Sequence, residues 1–384
     1  SWVGGWQADD RRTPRGGKWA GGHNRRQSIR GRAHGQPPPA MHFDITLQPS
    51  GRHFDVARDE PILSAAIRQG VGLPYGCKDG ACGACKSRLL AGRVIHGAHQ
   101  LKALSAAEED AGLILTCCAT PQTDCVVEAR SVPGAGEFPV LKMPTRVLSI
   151  GRPSSDVAVL RLQLPANQSF QYHAGQYVEF ILRDGSRRSY SMANAPGNLG
   201  MPPAIELHIR HLPGGKFTDQ VFGTLKEKDI LRMEGPFGSF FLRESDKPMV
   251  LLASGTGLAP IKALVEQLQA TASTRPAVLY WGCRSRADLY LNDWAEQAAR
   301  DLPNLRYVPV LSDPLPGDGW TGRTGLVHQA VMADLPDLAG RQVYACGAPL
   351  MVDAARRDFS TRCGLPDDEF LADAFTSEAD KHPG

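Results

Sequence analysis

The chain has 384 residues, enough for two or three domains of roughly 150 residues each. Hydrophobic residues are 42% and charged residues 22%, and with 40 Gly and 29 Pro the composition is that of a globular protein; no apolar run approaches the roughly 18 residues of a membrane span. The net charge of +3 is uneven, because residues 1–40 hold eight Arg and Lys against Asp9 and Asp10; the remaining chain is at −3, which argues against nucleic acid as a main partner.

Residues 1–40 contain eight Gly, the Pro37-Pro38-Pro39 run and no apolar periodicity. They read as a disordered or non-native extension, with Met41 as the natural start; a basic tail for an anionic partner is the alternative. A hairpin is predicted over 42–58, with Phe43, Ile45, Leu47, Phe54 and Val56 alternating about Ser50-Gly51. Pro61 opens a short helix with Ile62, Leu63, Ala66 and Ile67 on one face, and Gly70 closes it. A Gly- and Cys-rich loop runs from Gly72 to Cys85, and short strands are expected at 86–95 and 125–130. Residues 41–132 thus read as a β-grasp-like domain, and 133–142 as a linker opened by Pro133-Gly134-Ala135-Gly136. Over 143–243, short β runs at Arg146–Ile150, Val157–Leu164, Gln176–Leu182, Ala204–Ile209 and Asp229–Glu234 predict an antiparallel β-barrel. Over 244–384 the pattern changes. Apolar strands at Met249–Ala253, Val278–Trp281, Leu305–Pro309 and Gln342–Ala345 alternate with helical stretches, which predicts a parallel α/β sheet. The fold class expected is multidomain, α+β followed by α/β.

Nine cysteines, an odd number with three of them inside Cys77–Cys85, do not form a secreted disulfide framework. They suggest a metal site in a reducing cytoplasm. Cys77, Cys82 and Cys85 have the C-x4-C-x2-C spacing of plant-type [2Fe–2S] centres, and Cys117 follows with 31 residues between it and Cys85. Small residues between the three let backbone N–H groups approach the sulfur atoms. A four-Cys zinc site is the alternative, although zinc sites are usually built from two short Cys pairs. Cys118 and Cys125 are expected to be small buried hydrophobes. Thr116-Cys117-Cys118-Ala119-Thr120-Pro121 is similar to the ferredoxin pattern T-C-x-A-x-P, which makes Cys117 the fourth metal ligand.

Arg188-Ser189-Tyr190-Ser191 follows a barrel strand, and Gly214-Gly215-Lys216-Phe217-Thr218 opens a helical stretch. With Gly235-Pro236-Phe237-Gly238, these segments resemble the ferredoxin–NADP reductase superfamily, whose flavin motifs are R-x-Y-S and G-x-x-[ST]. The resemblance implies bound FAD. Arg188 would pair with its phosphates, Tyr190 would stack on the isoalloxazine, and Ser191 would hydrogen-bond toward N5. Gly215, Lys216, Phe217 and Thr218 would offer the start of a helix to the pyrophosphate.

Ser254-Gly255-Thr256-Gly257-Leu258-Ala259-Pro260 joins a strand to a helix and reads as a phosphate-binding turn. By resemblance, Cys346-Gly347-Ala348-Pro349 would lie beside the nicotinamide, and Phe375 would cover the flavin face until nicotinamide displaces it. The alternatives are a packed strand-end Cys346 and a core Phe375. Arg284, Arg286 and Tyr290 leave NADH and NADPH both open, with NADH favoured. His42, His53, His96, His99, His173, His208 and His211 need no special role.

The resemblance covers roughly residues 42–380. The domain order is similar to that of reductases of bacterial oxygenases and of CDP-6-deoxy-Δ3,4-glucoseen reductases. It implies a cytoplasmic oxidoreductase in which NAD(P)H reduces FAD by hydride, FAD feeds the cluster singly, and the cluster feeds a separate protein. That acceptor would be a sugar dehydratase, or alternatively an oxygenase component, with no membrane partner. A non-enzymatic redox-sensing module is the reading from another class.

Overall fold

The structure, a computed structural model, describes residues 42–376. The expectations for residues 1–40 and for Met41 lie outside the described residues. Three large sheets follow one another along the chain, in the order the sequence suggests.

The first sheet has five strands in the order His53–Ala57, His42–Gln48, Cys125–Glu128, Lys86–Ala91, Leu113–Leu115. Alternation sets its register, with Phe43 opposite Val56 and Ile45 opposite Phe54. The strand Cys125–Glu128 runs parallel to His42–Gln48, and so the sheet is mixed. The helix Ile62–Arg68 begins after Pro61 and buries Ile62, Leu63, Ala65 and Ala66. Ile67 is only half-buried, so the buried stripe lies one residue from the expected one. The strand expected over 86–95 is broken at Gly92. Its φ of +94° ends the ladder, and Val94–His96 pairs with Ala119–Pro121 in a separate small sheet. A short helix, Ala106–Asp110, is capped by Ser105 and Glu108, each side chain bonding the other's backbone N–H.

Part of the segment 133–142 is packed against the rest of the chain, although Pro133, Gly136, Glu137, Pro139 and Lys142 are exposed. Val132 and Ala135 are buried with Phe241, and a Cβ added at Gly136 would meet the Gly70 backbone at 2.8 Å. The next strand begins early, at Leu141. The second sheet is antiparallel, in the order Arg187–Ser191, Tyr177–Ile181, Ile230–Phe237, Leu141–Gly151, Val157–Gln163, Ala204–Arg210. A bridge between Met192 and Leu207 joins its two ends into a barrel.

The third sheet is parallel throughout, in the order Arg323–Thr324, Leu305–Leu311, Ala277–Cys283, Met249–Ser254, Gln342–Gly347, Phe370–Ala374. Alternate residues of Met249–Ser254 enter separate cores, Leu251 and Ala253 on one face, Val250 and Leu252 on the other. Both faces are therefore covered, which explains the unbroken apolar run. The chain order along the sheet reverses between Met249–Ser254 and Gln342–Gly347. Ligands of such sheets bind in the crevice at the carboxyl ends of those two strands. Among the described residues, no helix is long and apolar enough to cross a membrane.

Candidate active site

The cysteine loop turns sharply at Lys78, Gly80 and Gly83, all with positive φ. At Gly80 glycine is required for space as well, since a Cβ would stand 2.8 Å from Cys118 Sγ and from His99 Cβ. The turns bring four thiols together in two pairs. Cys85 Sγ lies 3.2 Å from Cys117 Sγ, and Cys77 is hydrogen-bonded to Cys82. Cys82 Sγ also accepts the N–H groups of Cys77 and Ala84, each at 3.5 Å. Cys77 beside it holds the Cys82 thiol below its ordinary value, and Cys117 does the same for Cys85. A zinc site needs four donors about one ion, whereas a two-iron cluster takes four cysteines shared between two metals. The paired thiols fit the cluster. Cys125 is buried as expected. Cys118 is not; it is half-buried, with Sγ 3.5 Å from Cys117 Sγ.

A cavity of about 1310 Å³ lies where the three sheets meet. Gly76, Cys77 and Asp79 of the cysteine loop line it. So do Arg188, Tyr190 and Ser191, the loop from Leu212 to Thr218, Ser254 to Thr256, Gly347 and Phe375. The sequence motifs, up to 298 positions apart, therefore open onto one chamber.

On the barrel side, the strand Arg187–Ser191 presents its residues through pairing with Tyr177–Ile181. The Tyr190 ring packs on Phe217 at 5.2 Å, and Phe217 stacks on Phe180 at 4.7 Å. Phe217 is thus a core support beneath Tyr190. Thr218 Oγ1 donates to Leu212 O at 2.8 Å and accepts from Leu212 N at 3.2 Å, which closes the loop ahead of the helix Lys216–Gly223. Lys216 Nζ is bonded to Asp184 at 2.5 Å. The residues of this helix start that can face a phosphate are therefore chiefly its backbone N–H groups. Gly215 is required there, because a Cβ would stand 2.6 Å from Thr218 Oγ1.

Ser191 Oγ donates to Asp373 Oδ2 at 3.2 Å, across 182 residues of sequence. Asp373 also lines the cavity. Burial pushes its carboxyl up to about 6, against the lowering effect of the Ser191 hydrogen bond. The sequence reading gave Asp373 no role, since nothing local marks it. Its position follows from the edge strand Phe370–Ala374, which sets Asp373 beside Cys346.

At the switch point of the parallel sheet, two glycines permit close approach. A Cβ on Gly257 would stand 2.2 Å from Cys346 O, and one on Gly347 would stand 2.3 Å from Ser254 Oγ. Ser254 Oγ accepts the Ala348 N–H at 2.9 Å and joins the two turns. Of the two readings of Cys346, beside the nicotinamide or packed at the strand end, its placement matches the second. Cys346 is fully buried, in a core with Leu251, Ala253 and Tyr344. The reason is register: Cys346 is paired on both sides, with Ala253 and with Asp373, and Gly347 is the first residue to reach the cavity. Phe375 lines the cavity and is tied by its N–H to Gly347 O at 2.8 Å.

Arg284 lines the cavity, whereas Arg286 is turned to Asp318, with Nη1 2.8 Å from its carbonyl. Tyr290 is buried, its hydroxyl 2.9 Å from His208 Nδ1. The His208 Nε2 is 3.0 Å from Glu206. Lys262 reaches Glu206 at 3.2 Å and Glu266 at 2.5 Å, and Glu266 accepts the Ala195 N–H at 2.9 Å. This buried polar chain crosses from barrel to parallel sheet. Burial pushes the Glu206 carboxyl up, but His208 and Lys262 outweigh it and bring it down to about 2.

Family models match the chain in three consecutive places: a 2Fe-2S iron-sulfur cluster binding domain over residues 45–122, an oxidoreductase FAD-binding domain over 144–242, and an oxidoreductase NAD-binding domain over 251–357. The chain is 42% identical to the CDP-6-deoxy-L-threo-D-glycero-4-hexulose-3-dehydrase reductase of Yersinia pseudotuberculosis, covering 87% of this chain and 99% of the relative. It is 38% identical to the phenol hydroxylase P5 protein of Acinetobacter pittii, over 82% and 89% of the two chains. The crystal structure of an Amycolatopsis cytochrome P450 reductase superposes with a TM-score of 0.72 at 34% identity, over 87% of this chain and 99% of that one. With its cluster-type thiol pairs and three-sided cavity, the chain belongs to the family of electron-transfer reductases that carry [2Fe–2S], FAD and NAD domains on one polypeptide.

Proposed function

We propose that this reductase takes electrons from NADH and delivers them to a separate protein, a dehydrase acting on a CDP-linked deoxyhexulose. The carrying observation is the single cavity lined from the cysteine loop, the barrel strand and the switch-point turns. When bound, NADH supplies a hydride, FAD splits the electron pair, and the cluster passes electrons singly.

The chain's own residues bind and orient. Cys77, Cys82, Cys85 and Cys117 hold the cluster. Arg188 faces the flavin phosphates, with the N–H groups of Lys216, Phe217 and Thr218 following Gly215. Tyr190 supports the flavin ring. The Ser191 hydroxyl would serve N5 by turning its one proton away from Asp373, whose carboxylate accepts it in this structure. Gly255 and Thr256 face the nucleotide pyrophosphate, while Gly257 lets their turn pack closely. Gly347 and Phe375 shape the nicotinamide slot, and Phe375 excludes water from the flavin face. Cys346 supports that floor from below. In this reading the domains divide near 132–142 and near 243 and the protein is cytoplasmic, a location that the odd cysteine count and the cluster-type spacing support.

The identity to the dehydrase reductase favours the dehydrase as acceptor. The likeness to the phenol hydroxylase protein and to the P450 reductase supports an oxygenase as the second reading. The test is reconstitution with each acceptor class. Purified protein should contain two irons and one FAD, within about 20%, and should couple NADH oxidation to the dehydrase. Coupling only to an oxygenase component would overturn the first reading in favour of the second.

A further inference from the structure

The cysteine loop is fastened to the barrel by consecutive residues. Ser239 Oγ accepts the Tyr75 N–H at 3.0 Å, and the Ser239 N–H donates to Tyr75 O at 3.2 Å. Tyr177 Oη donates to Gly76 O at 2.7 Å. Lys78 Nζ stands 2.8 Å from Glu179 Oε1 and 3.5 Å from the centroid of the Phe237 ring. These contacts bracket Cys77, a cluster ligand in the reading above. The Glu179 side chain is only 6% exposed and that of Lys78 is 22% exposed. A carboxylate so deep requires partners. Its other partner is Arg187, at 2.8 Å, which also pairs with Glu234. Glu179 lies in register with Ser189, between Arg188 and Tyr190. Lys78 adopts a φ of +65°, a region uncommon for residues with a Cβ. The loop therefore keeps a long cationic side chain where glycine would be easier. One ion pair thus links the residue after a cluster ligand to the strand beside the flavin segment.

We propose that the Lys78–Glu179 pair is a positioning latch that holds the Cys77 side of the cluster loop against the flavin strand, so that electrons pass within the chain. The proposal rests on the electron-transfer reading above. Each transfer takes one electron from reduced flavin and adds one to the oxidised cluster, NADH supplying the pair. Transfer between two centres falls steeply with separation. A loop that drifts outward loses rate without losing either group.

The test uses loaded, full-length Lys78→Met, Lys78→Arg and Glu179→Gln proteins. All three should keep iron and FAD. Stopped-flow flavin reduction by NADH should stay within about twofold of the parent, because neither side chain lines the cavity. Flavin-to-cluster transfer should slow about tenfold or more in Lys78→Met and Glu179→Gln, and recover in Lys78→Arg, which keeps the charge. Amide hydrogen exchange over residues 75–79 should rise about tenfold in the first two variants and not in the third. Unslowed transfer in Lys78→Met and Glu179→Gln, with full iron, would overturn the latch. Slowed transfer with unchanged exchange would overturn it too, since the loop would not have moved. If Lys78→Met loses iron, Glu179→Gln decides, because it leaves the loop's sequence intact. A parent protein whose cluster NADH cannot reduce would refute the underlying reading and the latch with it.

Discussion

Asp373 is a cavity residue whose acid chemistry departs from its ordinary behaviour. Its folded-state carboxyl titrates near 6, well above the unfolded value, because it is buried. The folded protein therefore holds this proton more tightly than the unfolded chain. The stability it contributes is complete below about pH 4 and is lost as the pH rises through about 6. Asp373→Asn keeps an oxygen for Ser191 and removes the buried charge. It should raise stability at pH 7–8 by on the order of 2 kcal/mol, and the gain should shrink below about pH 5. Chemical denaturation at several pH values checks this. Cys117 and Cys118 provide a second contrast, since their sulfurs are only 3.5 Å apart. Cys117→Ser should lose the cluster and spare FAD, while Cys118→Ser should retain iron; metal analysis of anaerobically purified protein decides. Arg188→Ala should weaken FAD binding by about 1.5–3 kcal/mol, roughly 10- to 100-fold, through loss of a charge-assisted phosphate contact. Flavin release followed by fluorescence measures it.

At the scale of elements, the two turns at the switch point depend on missing side chains. Gly257→Ala would drive a methyl group against the Cys346 carbonyl, 2.2 Å from the ideal Cβ, and backbone there cannot move aside cheaply. NADH affinity should fall at least about tenfold, with FAD content unchanged; nucleotide titration of the loaded protein reads both. These turns were legible in the sequence, because glycines between an apolar strand and a helix are a local signal. The cysteine loop was legible for the same reason. What escaped was whatever depends on strand register. Ser191 meets Asp373 only because the edge strand Phe370–Ala374 docks beside Gln342–Gly347. The same register buries Cys346, and so decides between the two placements the sequence left open for it. The break at Gly92 was missed because Val94–His96 has a β-pattern of its own and finds a different partner. The close packing inside 133–142 was not legible, because Gly136, which permits close approach to Gly70, looks identical to a glycine that confers freedom.

At the scale of the whole molecule, the parts are less separable than three consecutive family domains imply. The chain from Glu206 through His208 to Tyr290, with Lys262 and Glu266, puts several charges in the seam between barrel and parallel sheet. Lys262 and Glu266 side chains are each only 8% exposed. Lys262→Met would leave two carboxylates facing each other without their cation, at a cost of about 3–5 kcal/mol. The consequence concerns cooperativity. A barrel that melted first would strand these charges on the remaining sheet, and the reverse order would do the same to the barrel. Residues 143–376 should therefore unfold as one thermal unit, giving a single calorimetric peak whose van't Hoff and measured enthalpies agree. In Lys262→Met that peak should broaden or divide, as the two bodies lose the reason to melt together.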